Sequence, residues 1–306
     1  MILSKHTFTT VTILSTIHAM AMQRVLVTGG NKGIGKAICQ LLLEDHANVH
    51  IVLGSRDKAR GEQAIADLIA NVGKDSADRL ELVELDTACD ASVQRAAEQV
   101  ARGGSLYGIV NNAGIGVGFG VQEVMNVNYF GVRRVNEAFA NLMERPGGRI
   151  VNVGSAAGPS FVESLEDGDL KQKLTKPWII QGGIAELDEI ARNINTKDGY
   201  FSSKALLNAY TMLHAKLEKE LIINSCSPGW ILTDLTKGTG ATNPPSKGAV
   251  SSVWALMSKD IAVLPSGRYY GSDCIRSPLH YYRGPGEAPY ESDEDLIELP
   301  STETSV

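Results

Sequence analysis

The sequence predicts an α/β fold in which one parallel sheet of about seven strands carries helices on both faces. From residue 23 onward, short β-branched runs alternate with stretches whose apolar residues recur at a helical period. A glycine-rich turn joins the first run to the first helical stretch, and no repeat or linker divides the chain between residues 23 and 290. Strands that alternate with helices form doubly wound sheets, so a single Rossmann-like domain is expected.

The predicted elements follow one another in strand-helix order. Apolar and β-branched runs place strands at 24–28, 49–53, 80–85, 106–110, 149–153, 221–225 and 268–271. Apolar residues three and four positions apart place helices at 33–45, 58–72, 92–101, 126–143 and 184–194. A further helix is expected to begin near the stretch Tyr-Phe-Ser-Ser-Lys at 200–204.

The chain also divides by composition. Residues 1–22 lack acids and are expected to form a flexible extension or a targeting segment, ahead of one folded body at 23–290. Residues 160–199 separate the fifth strand from the next helix by far more than an ordinary loop, which indicates a functional insertion. Residues 291–306 carry six acids and no base and are expected to be a disordered tail.

Charge and cysteine content exclude several functions. The 306 residues carry a net charge of −6, most of it in the tail, so the body is nearly neutral and offers no basis for binding nucleic acid or a membrane. The four cysteines are scattered without a CxxC pair, which argues against a zinc site or a disulfide framework. A cytoplasmic protein without a metal is therefore expected, with organelle import through residues 1–22 as the alternative.

The turn Thr-Gly-Gly-Asn-Lys-Gly-Ile-Gly at 28–35 lies between the first strand and the first helix. A helix N-terminus offers free N–H groups and a positive dipole end to a phosphate. Gly29 permits a tight turn, Gly33 lets the backbone approach a pyrophosphate, and Gly35 allows close helix packing. The pattern predicts a dinucleotide site, although glycine-rich turns also occur without a ligand. The other turn residues expected to border the dinucleotide are Asn31, Lys32 and Ile34.

Cations stand where the ribose phosphate of such a dinucleotide would lie. Arg56 follows the second strand, at the position where an acid would bind the ribose of NAD. Lys32 could reach the same 2′-phosphate, and an arginine can pair with a phosphate bidentately. NADPH or NADP is therefore predicted over NADH, the alternative being that both side chains are ordinary solvated charges.

Five motifs occur in an order typical of one superfamily. They are the turn at 28–35, Asn-Asn-Ala-Gly at 111–114, Gly-Ser at 154–155, Tyr-x-x-x-Lys at 200–204 and Pro-Gly at 228–229. Over roughly residues 23–275 the chain resembles the short-chain dehydrogenase/reductase superfamily. Its long insertion resembles the monomeric carbonyl reductase branch, which includes plant alkaloid reductases of the salutaridine type.

The resemblance implies roles for four residues. Tyr200 would be the general acid, and Lys204, one helical turn on, would favour its phenolate by Coulomb attraction and hold the nicotinamide ribose. Ser155 would polarise the substrate carbonyl, and Asn128 would anchor a water in the proton relay. Each also has an ordinary alternative: a packing tyrosine, a solvated lysine, a turn serine or a helix asparagine.

Further cofactor contacts are implied in the same way, all at the carboxyl ends of strands where open α/β sheets bind ligands. They are Asp86 and Thr87 at the adenine, Asn112, Ala113 and Gly114 under the adenine ribose, and Pro228, Gly229, Ile231 and Thr233 at the nicotinamide.

One stretch departs from the family pattern. Only 13 residues separate Gly114 from Asn128, where relatives have a longer loop and helix, so a truncated helix and a more open cleft are expected. In relatives the insertion covers the helix face used for dimerisation, which implies a monomer.

The predicted activity is NADPH-dependent reduction of a ketone, aldehyde or quinone carbonyl, or the reverse oxidation of an alcohol. A small carbonyl compound is thus the expected partner. The alternatives are a reductase of activated double bonds, an epimerase on the same fold, and a non-catalytic NADPH-binding regulator. The presence of both Ser155 and Tyr200 favours the carbonyl reductase.

Overall fold

The computed structural model describes residues 22–116, 118–259 and 264–291. In this part of the chain seven strands form one sheet in the order β3-β2-β1-β4-β5-β6-β7, and every neighbouring pair is parallel. The strands are β1 Gln23–Thr28, β2 Val49–Ser55, β3 Leu80–Glu84, β4 Gly108–Asn111, β5 Arg149–Val153, β6 Ile222–Cys226 and β7 Tyr269–Tyr270. The predicted doubly wound α/β fold is confirmed. The extension predicted at 1–22 and the tail predicted at 291–306 lie outside the described residues, apart from Met22 and Glu291.

Helices follow the strands. They are α1 Gly33–Asp45, α2 Lys58–Val72, α3 Asp90–Ala101, α4 Val121–Asn128, α5 Phe130–Phe139, α6 Ala157–Ser164, α7 Gly168–Thr175, α8 Gly183–Asn193, α9 Gly199–Leu217 and α10 Pro245–Met257. Short 3-10 helices lie at Lys74–Arg79, Ala140–Leu142 and Pro177–Ile179. Within the described ranges, no helix is both long and apolar enough to cross a membrane.

Two helical predictions differ from the structure. The helix expected at 126–143 is divided at Tyr129, where α4 ends and α5 begins, and the Tyr129 hydroxyl there donates to the carboxylate of Asp188 on α8 (2.8 Å). The helix α10 was not expected. Its buried side is built largely from glycine, alanine and serine, which do not produce an apolar period.

The two faces of the sheet bury alternate residues of each strand. Val25, Ile51 and Val151 belong to the core formed with α1, α2 and α10. Leu26 and Val52 belong to the opposite core, formed with α3 and α5. Because both faces are covered, the strands read as nearly continuous apolar runs in the sequence.

The insertion supplies a third apolar cluster outside the sheet. The helices α7 and α8 and the 3-10 helix between them pack against α9, and α8 also contacts α4. Leu187 of α8 is fully buried there. Asp188, the next residue, accepts hydrogen bonds from Tyr129 and from Arg133 Nη1 (2.5 Å), which fixes α8 at the junction of α4 and α5.

The helix α9 is buried on both sides. Its outer side faces the insertion and its inner side contacts β5 and β6, so nearly every residue up to Leu213 is buried. This helix begins at the carboxyl edge of the sheet, where Asp198 caps its first turn by accepting from the backbone N–H of Phe201 (3.1 Å). The fold thereby brings the start of α9 next to the end of β5.

Candidate active site

The glycine turn between β1 and α1 has the close packing that its sequence predicts. Gly29 and Gly33 have φ of 65° and 53°, in the left-handed region that favours glycine. A Cβ atom at Gly35 would lie 2.3 Å from the carbonyl oxygen of Gly29. No larger residue fits there, so the glycines let the turn lie flat against the start of α1.

A hydroxyl group ties this turn to the loop after β4. The Oγ1 atom of Thr28 accepts hydrogen bonds from the backbone N–H groups of Asn112 and Ala113, each at 3.0 Å. The side-chain amide of Asn112 donates to the carbonyl oxygen of Thr28 (2.9 Å). The sequence placed Asn112 and Ala113 near the cofactor but did not assign this role to Thr28.

The basic corner predicted for a 2′-phosphate holds an anion of the chain itself. Lys32 Nζ lies 2.6 Å from the Asp234 carboxylate, and both side chains are exposed (60% and 77%). The hydrogen bond from Lys32 lowers the pKa of Asp234, and the charges of Lys237 and Arg60 lower it further. Arg56, at the end of β2, is exposed. A corner that attracts a carboxylate in this way, next to a glycine turn, fits a phosphorylated dinucleotide.

The residues expected at the adenine follow β3. Asp86 accepts from the backbone N–H of Ala88 (3.0 Å), which shapes the turn into α3. The side chain of Thr87 is buried against α5, where a Cβ atom at Gly131 would lie 3.0 Å from its hydroxyl oxygen. Ile34, Asn31 and Gly114 remain accessible beside the same edge of the sheet.

Asn128, at the end of α4, connects the loop after β4 to α9. Its amide nitrogen donates to the carbonyl oxygen of Ile115 (2.9 Å) and to the hydroxyl of Ser203 (3.0 Å). Its amide oxygen accepts from the backbone N–H of Ile115 (2.9 Å). Both amide hydrogens are thus donated within the protein, so a water at this residue would have to bind as a donor.

Three predicted catalytic residues lie together where β5 meets α9. Ser155 and Tyr200 line the same cleft, and the Ser155 side chain lies close enough to lower the pKa of Tyr200. Lys204 Nζ donates to the carbonyl oxygen of Val153 (2.7 Å) and lies 5.8 Å from the centre of the Tyr200 ring. The lysine is only 5% exposed, so its ordinary alternative as a solvated charge is wrong.

The pKa values of this group are governed by burial. Burial raises the pKa of Tyr200, and the Ser155 side chain opposes the rise without cancelling it. Burial lowers the pKa of Lys204 to about 8, with a smaller opposing contribution from Cys226. Desolvation of the phenolate therefore governs the pKa of Tyr200 in this structure, and the stabilising effect expected of Lys204 stays a prediction.

A cleft of about 750 Å³ opens in front of Tyr200 and Ser155. The predicted nicotinamide neighbours Pro228, Gly229 and Ile231 line it as well. Thr233 lies just beyond, with its methyl group 3.5 Å from the position of a Cβ atom on Gly33. The structure thus brings Ser155, Tyr200 and the segment after β6 around one space, and Thr233 connects that segment to the glycine turn.

A buried amide network lies beneath this space and was not predicted from the sequence. Asn111 Nδ2 donates to the amide oxygens of Asn136 (2.8 Å) and Asn152 (2.9 Å), and Asn152 Nδ2 donates to Thr211 (2.9 Å). The signal was present, since β4 and β5 each carry an asparagine within an apolar run. These bonds join the two strands to α5 and α9, although the amide oxygen of Asn111 itself accepts none.

Comparison with known proteins identifies the family. A family model described as short chain dehydrogenase matches residues 23–165. The chain is 31% identical to carbonyl reductase (NADPH) 1 of Homo sapiens, over 80% of this chain and 94% of that protein. The chain belongs to the short-chain dehydrogenase family. It is also 32% identical to (+)-neomenthol dehydrogenase of Arabidopsis thaliana, over 74% of this chain and 89% of that protein.

Solved structures of the short-chain dehydrogenase family share the fold. Salutaridine reductase from Papaver somniferum superposes with a TM-score of 0.65 at 24% identity, covering 81% of this chain and 99% of that one. Menthone neomenthol reductase from Mentha piperita superposes with a TM-score of 0.60 at 25% identity, covering 82% and 99%. The resemblance inferred from the five motifs is confirmed.

Replacing Lys204 by Met is expected to stabilise the protein at neutral pH. At pH 7 the folded chain holds a charged lysine whose pKa burial has lowered from 10.5 to about 8. Removing it should raise the free energy of unfolding by up to about 3 kcal/mol, less the lost hydrogen bond to Val153. The gain should shrink between pH 8 and 10.5, where the unfolded wild type binds the proton that the folded wild type has released.

Urea unfolding at pH 7, 9 and 10.5 measures this effect, with the exposed Lys197→Met as the control expected to change little. Two results would contradict the lowered pKa of Lys204: a Lys204→Met variant that is less stable than wild type at pH 7, or a gain in the free energy of unfolding that is the same at pH 10.5 as at pH 7.

Proposed function

We propose that this chain is an NADPH-dependent oxidoreductase that reduces the carbonyl of a ketone, aldehyde or quinone, or oxidises the corresponding alcohol. The observation that carries the proposal is that Tyr200 and Ser155 lie together at the wall of the 750 Å³ cleft, with Lys204 Nζ 5.8 Å from the centre of the Tyr200 ring. The names of two relatives, a carbonyl reductase and a neomenthol dehydrogenase, support chemistry at a carbonyl or its alcohol.

The two hydroxyl groups divide the work at the carbonyl oxygen. Ser155 donates a hydrogen bond that stabilises negative charge as it develops on the oxygen. Tyr200 transfers its proton to the same oxygen, which completes the alcohol. Because burial raises the pKa of Tyr200, the phenol is protonated at neutral pH, the state that an acid in the reducing direction needs.

Lys204 supports Tyr200 after the proton has left. With a pKa of about 8 it is mostly charged at neutral pH, and its ammonium lies 5.8 Å from the centre of the Tyr200 ring. That charge stabilises the phenolate which proton transfer leaves behind. Replacement of the proton on Tyr200 then resets the site.

The dinucleotide is assigned to the glycine turn and the basic corner beside it. NADPH, when bound, supplies the hydride to the carbonyl carbon. Gly29 and Gly33 leave backbone N–H groups open to its pyrophosphate, while Lys32 and Arg56 pair with its 2′-phosphate. The remaining proposed contacts are Asn31, Ile34, Asp86, Thr87, Asn112, Ala113, Gly114, Pro228, Gly229, Ile231 and Thr233.

The alternative functions use less of this arrangement. A non-catalytic regulator does not need a tyrosine and a serine next to each other at the wall of a large cleft. A reductase of activated double bonds delivers hydride to carbon without requiring a serine at the carbonyl oxygen. Turnover of carbonyl compounds and of activated alkenes, compared between the wild type and a Tyr200 variant, separates the three functions. A cytoplasmic location also stays a prediction.

Replacing Tyr200 by Phe is expected to lower kcat by about 10² to 10⁴, because the proton donor is lost while the ring stays. The measurement is the decrease in NADPH absorbance with a panel of aldehydes, ketones and quinones. Tyr210→Phe is the matched control, since Tyr210 is a buried tyrosine on the same helix whose hydroxyl meets Asn136 instead of the cleft. The Tyr210→Phe variant should keep the wild-type kcat, and the only change expected is a loss of stability.

Full activity in Tyr200→Phe would overturn its role as the acid. If the wild type binds NADPH but none of the compounds in the panel supports its oxidation, the protein is the non-catalytic regulator. If activated alkenes alone are turned over, the protein is the double-bond reductase.

Replacing Lys32 or Arg56 by Ala is expected to raise KM for NADPH about tenfold and to leave KM for NADH unchanged, because only NADPH carries the 2′-phosphate. Steady-state kinetics with both dinucleotides measures the ratio. Lys58→Ala, an exposed lysine at the start of α2, serves as the control. Equal effects on the two dinucleotides would place these cations elsewhere in the binding site.

We also propose that the chain functions as a monomer. The insertion covers α4 and α9 with its own helices and leaves its apolar cluster inside the chain. Light scattering at micromolar concentration should therefore give the mass of one chain, 32.8 kDa. A stable mass of twice that value would contradict the proposal.

A further inference from the structure

One wall of the cleft is built from the segment after the last strand of the sheet. We use the name C-terminal wall for residues 271–291, which begin directly after β7 and contain no helix or strand. The members of this segment that line the cleft are Gly271, Ser272, Asp273, Tyr282, Arg283 and Pro285. Backbone bonds hold the start of the wall, where the N–H of Gly271 donates to Ile275 (2.8 Å) and that of Ser277 donates to Tyr269 (2.9 Å). The residues around Arg283 depend more on side-chain bonds.

An ion pair supplies those bonds. Arg283 Nη2 lies 2.6 Å from Asp273 Oδ2, and Nη1 lies 3.3 Å from Oδ1, a two-point contact. The side chain of Arg283 is 2% exposed and that of Asp273 is 20% exposed. Arg283 also donates through Nε to the carbonyl oxygen of Ala288 (3.1 Å) and through Nη1 to that of Gly284 (3.2 Å). Its donors are therefore used within the wall and are not directed at a ligand.

The carboxylate of Asp273 binds residues near both ends of the C-terminal wall. Besides the guanidinium it accepts from the backbone N–H of Gly286 (3.0 Å) and from that of Ile275 (3.3 Å). One side chain thus joins residues at the start of the wall to residues more than ten positions later. The backbone N–H of Tyr282 also makes a longer contact with the carboxylate of Glu163 on α6 (3.5 Å), which connects the wall to that helix.

The residue held in place by this pair presents an aromatic ring at the cleft. Tyr282 precedes Arg283 directly, lines the cleft and is half exposed. Across the same cleft, Trp230 and Phe201 are also exposed aromatic side chains. Exposed aromatic residues around a concave site provide contact area for a large apolar ligand.

We propose that the Asp273–Arg283 pair is a positioning element for substrate selection: it holds the C-terminal wall, and with it Tyr282, against the apolar body of a large carbonyl compound. This inference rests on the proposed function. On this proposal a small aldehyde binds at Tyr200 and Ser155 without contacting Tyr282, whereas a fused-ring quinone extends to Tyr282. Removing one partner leaves the other charge buried and uncompensated, so the wall loses its shape while the Ser-Tyr pair is untouched.

The test compares Asp273→Asn with Asp188→Asn. Asp188 is a matched control because it also pairs with a mostly buried arginine, Arg133, but lies between the insertion and α5, outside the cleft lining. Two readouts are used: KM for propanal and for phenanthrenequinone at saturating NADPH, and the dissociation constant of phenanthrenequinone from quenching of tryptophan fluorescence. The second readout needs no turnover.

Asp273→Asn is expected to raise both the KM and the dissociation constant of phenanthrenequinone about tenfold, with KM for propanal and NADPH changed less than about twofold. Asp188→Asn should leave the ratio between the two carbonyl compounds unchanged. Tyr282→Ala, which keeps the ion pair, should reproduce the selective loss and covers the case in which Asp273→Asn does not fold.

Equal effects on propanal and phenanthrenequinone, no effect on either, or the same shift in Asp188→Asn would overturn the inference. Failure of the wild type to bind the quinone would also overturn it. A wild type that binds the quinone but turns over no carbonyl contradicts the proposed function alone, since the positioning role is still decided by the dissociation constants.

Discussion

The hydrogen bond from Lys204 Nζ to the carbonyl oxygen of Val153 joins the two elements on which the candidate site depends. Val153 ends β5 two residues before Ser155, and Lys204 lies on α9 one turn after Tyr200. The bond therefore sets the separation at which the serine and tyrosine hydroxyls can meet. Burying an ammonium group is costly, and this bond compensates part of that cost while leaving the pKa of Lys204 low.

The helix α9 is buried because other elements pack against both of its sides. The sheet covers one side, and the insertion covers the other with Leu187 and its neighbours. Asp188 then binds Tyr129 and Arg133, so the insertion is fixed to the same helices that carry Asn128. The insertion therefore acts on the site through α9, although it lies on the far side of that helix from the Ser-Tyr pair. Up to Leu213 the helix has no exposed polar side and buries polar residues such as Lys204, Asn208 and Thr211, which is why helical periodicity describes it poorly.

The parts of the fold that the sequence predicted are those that local pattern determines. The strands at 24–28 and 149–153 are buried on both faces and stand out as apolar runs, and the turn at 28–35 requires glycine for reasons that a sequence can display. The division of the helix at Tyr129 has no counterpart in the local apolar pattern, and neither has the contact of the Tyr129 hydroxyl with Asp188 of α8. The direction of the Tyr200 pKa shift was likewise beyond reach, because it depends on how completely the ring is buried.

Two ion pairs that the sequence did not indicate hold the segments after β6 and β7, and their burial makes them behave differently. Lys32 and Asp234 are 202 positions apart and well exposed, so water and salt weaken their attraction and a phosphate can replace the carboxylate. Asp273 and Arg283 are largely removed from water and share further bonds with the backbone, so no solute can take the place of either partner. Under the proposed function, the segment after β6 is therefore the side of the cleft that can exchange its contacts when a dinucleotide binds or leaves. The segment after β7 keeps one shape, which is what discrimination between substrates by size requires.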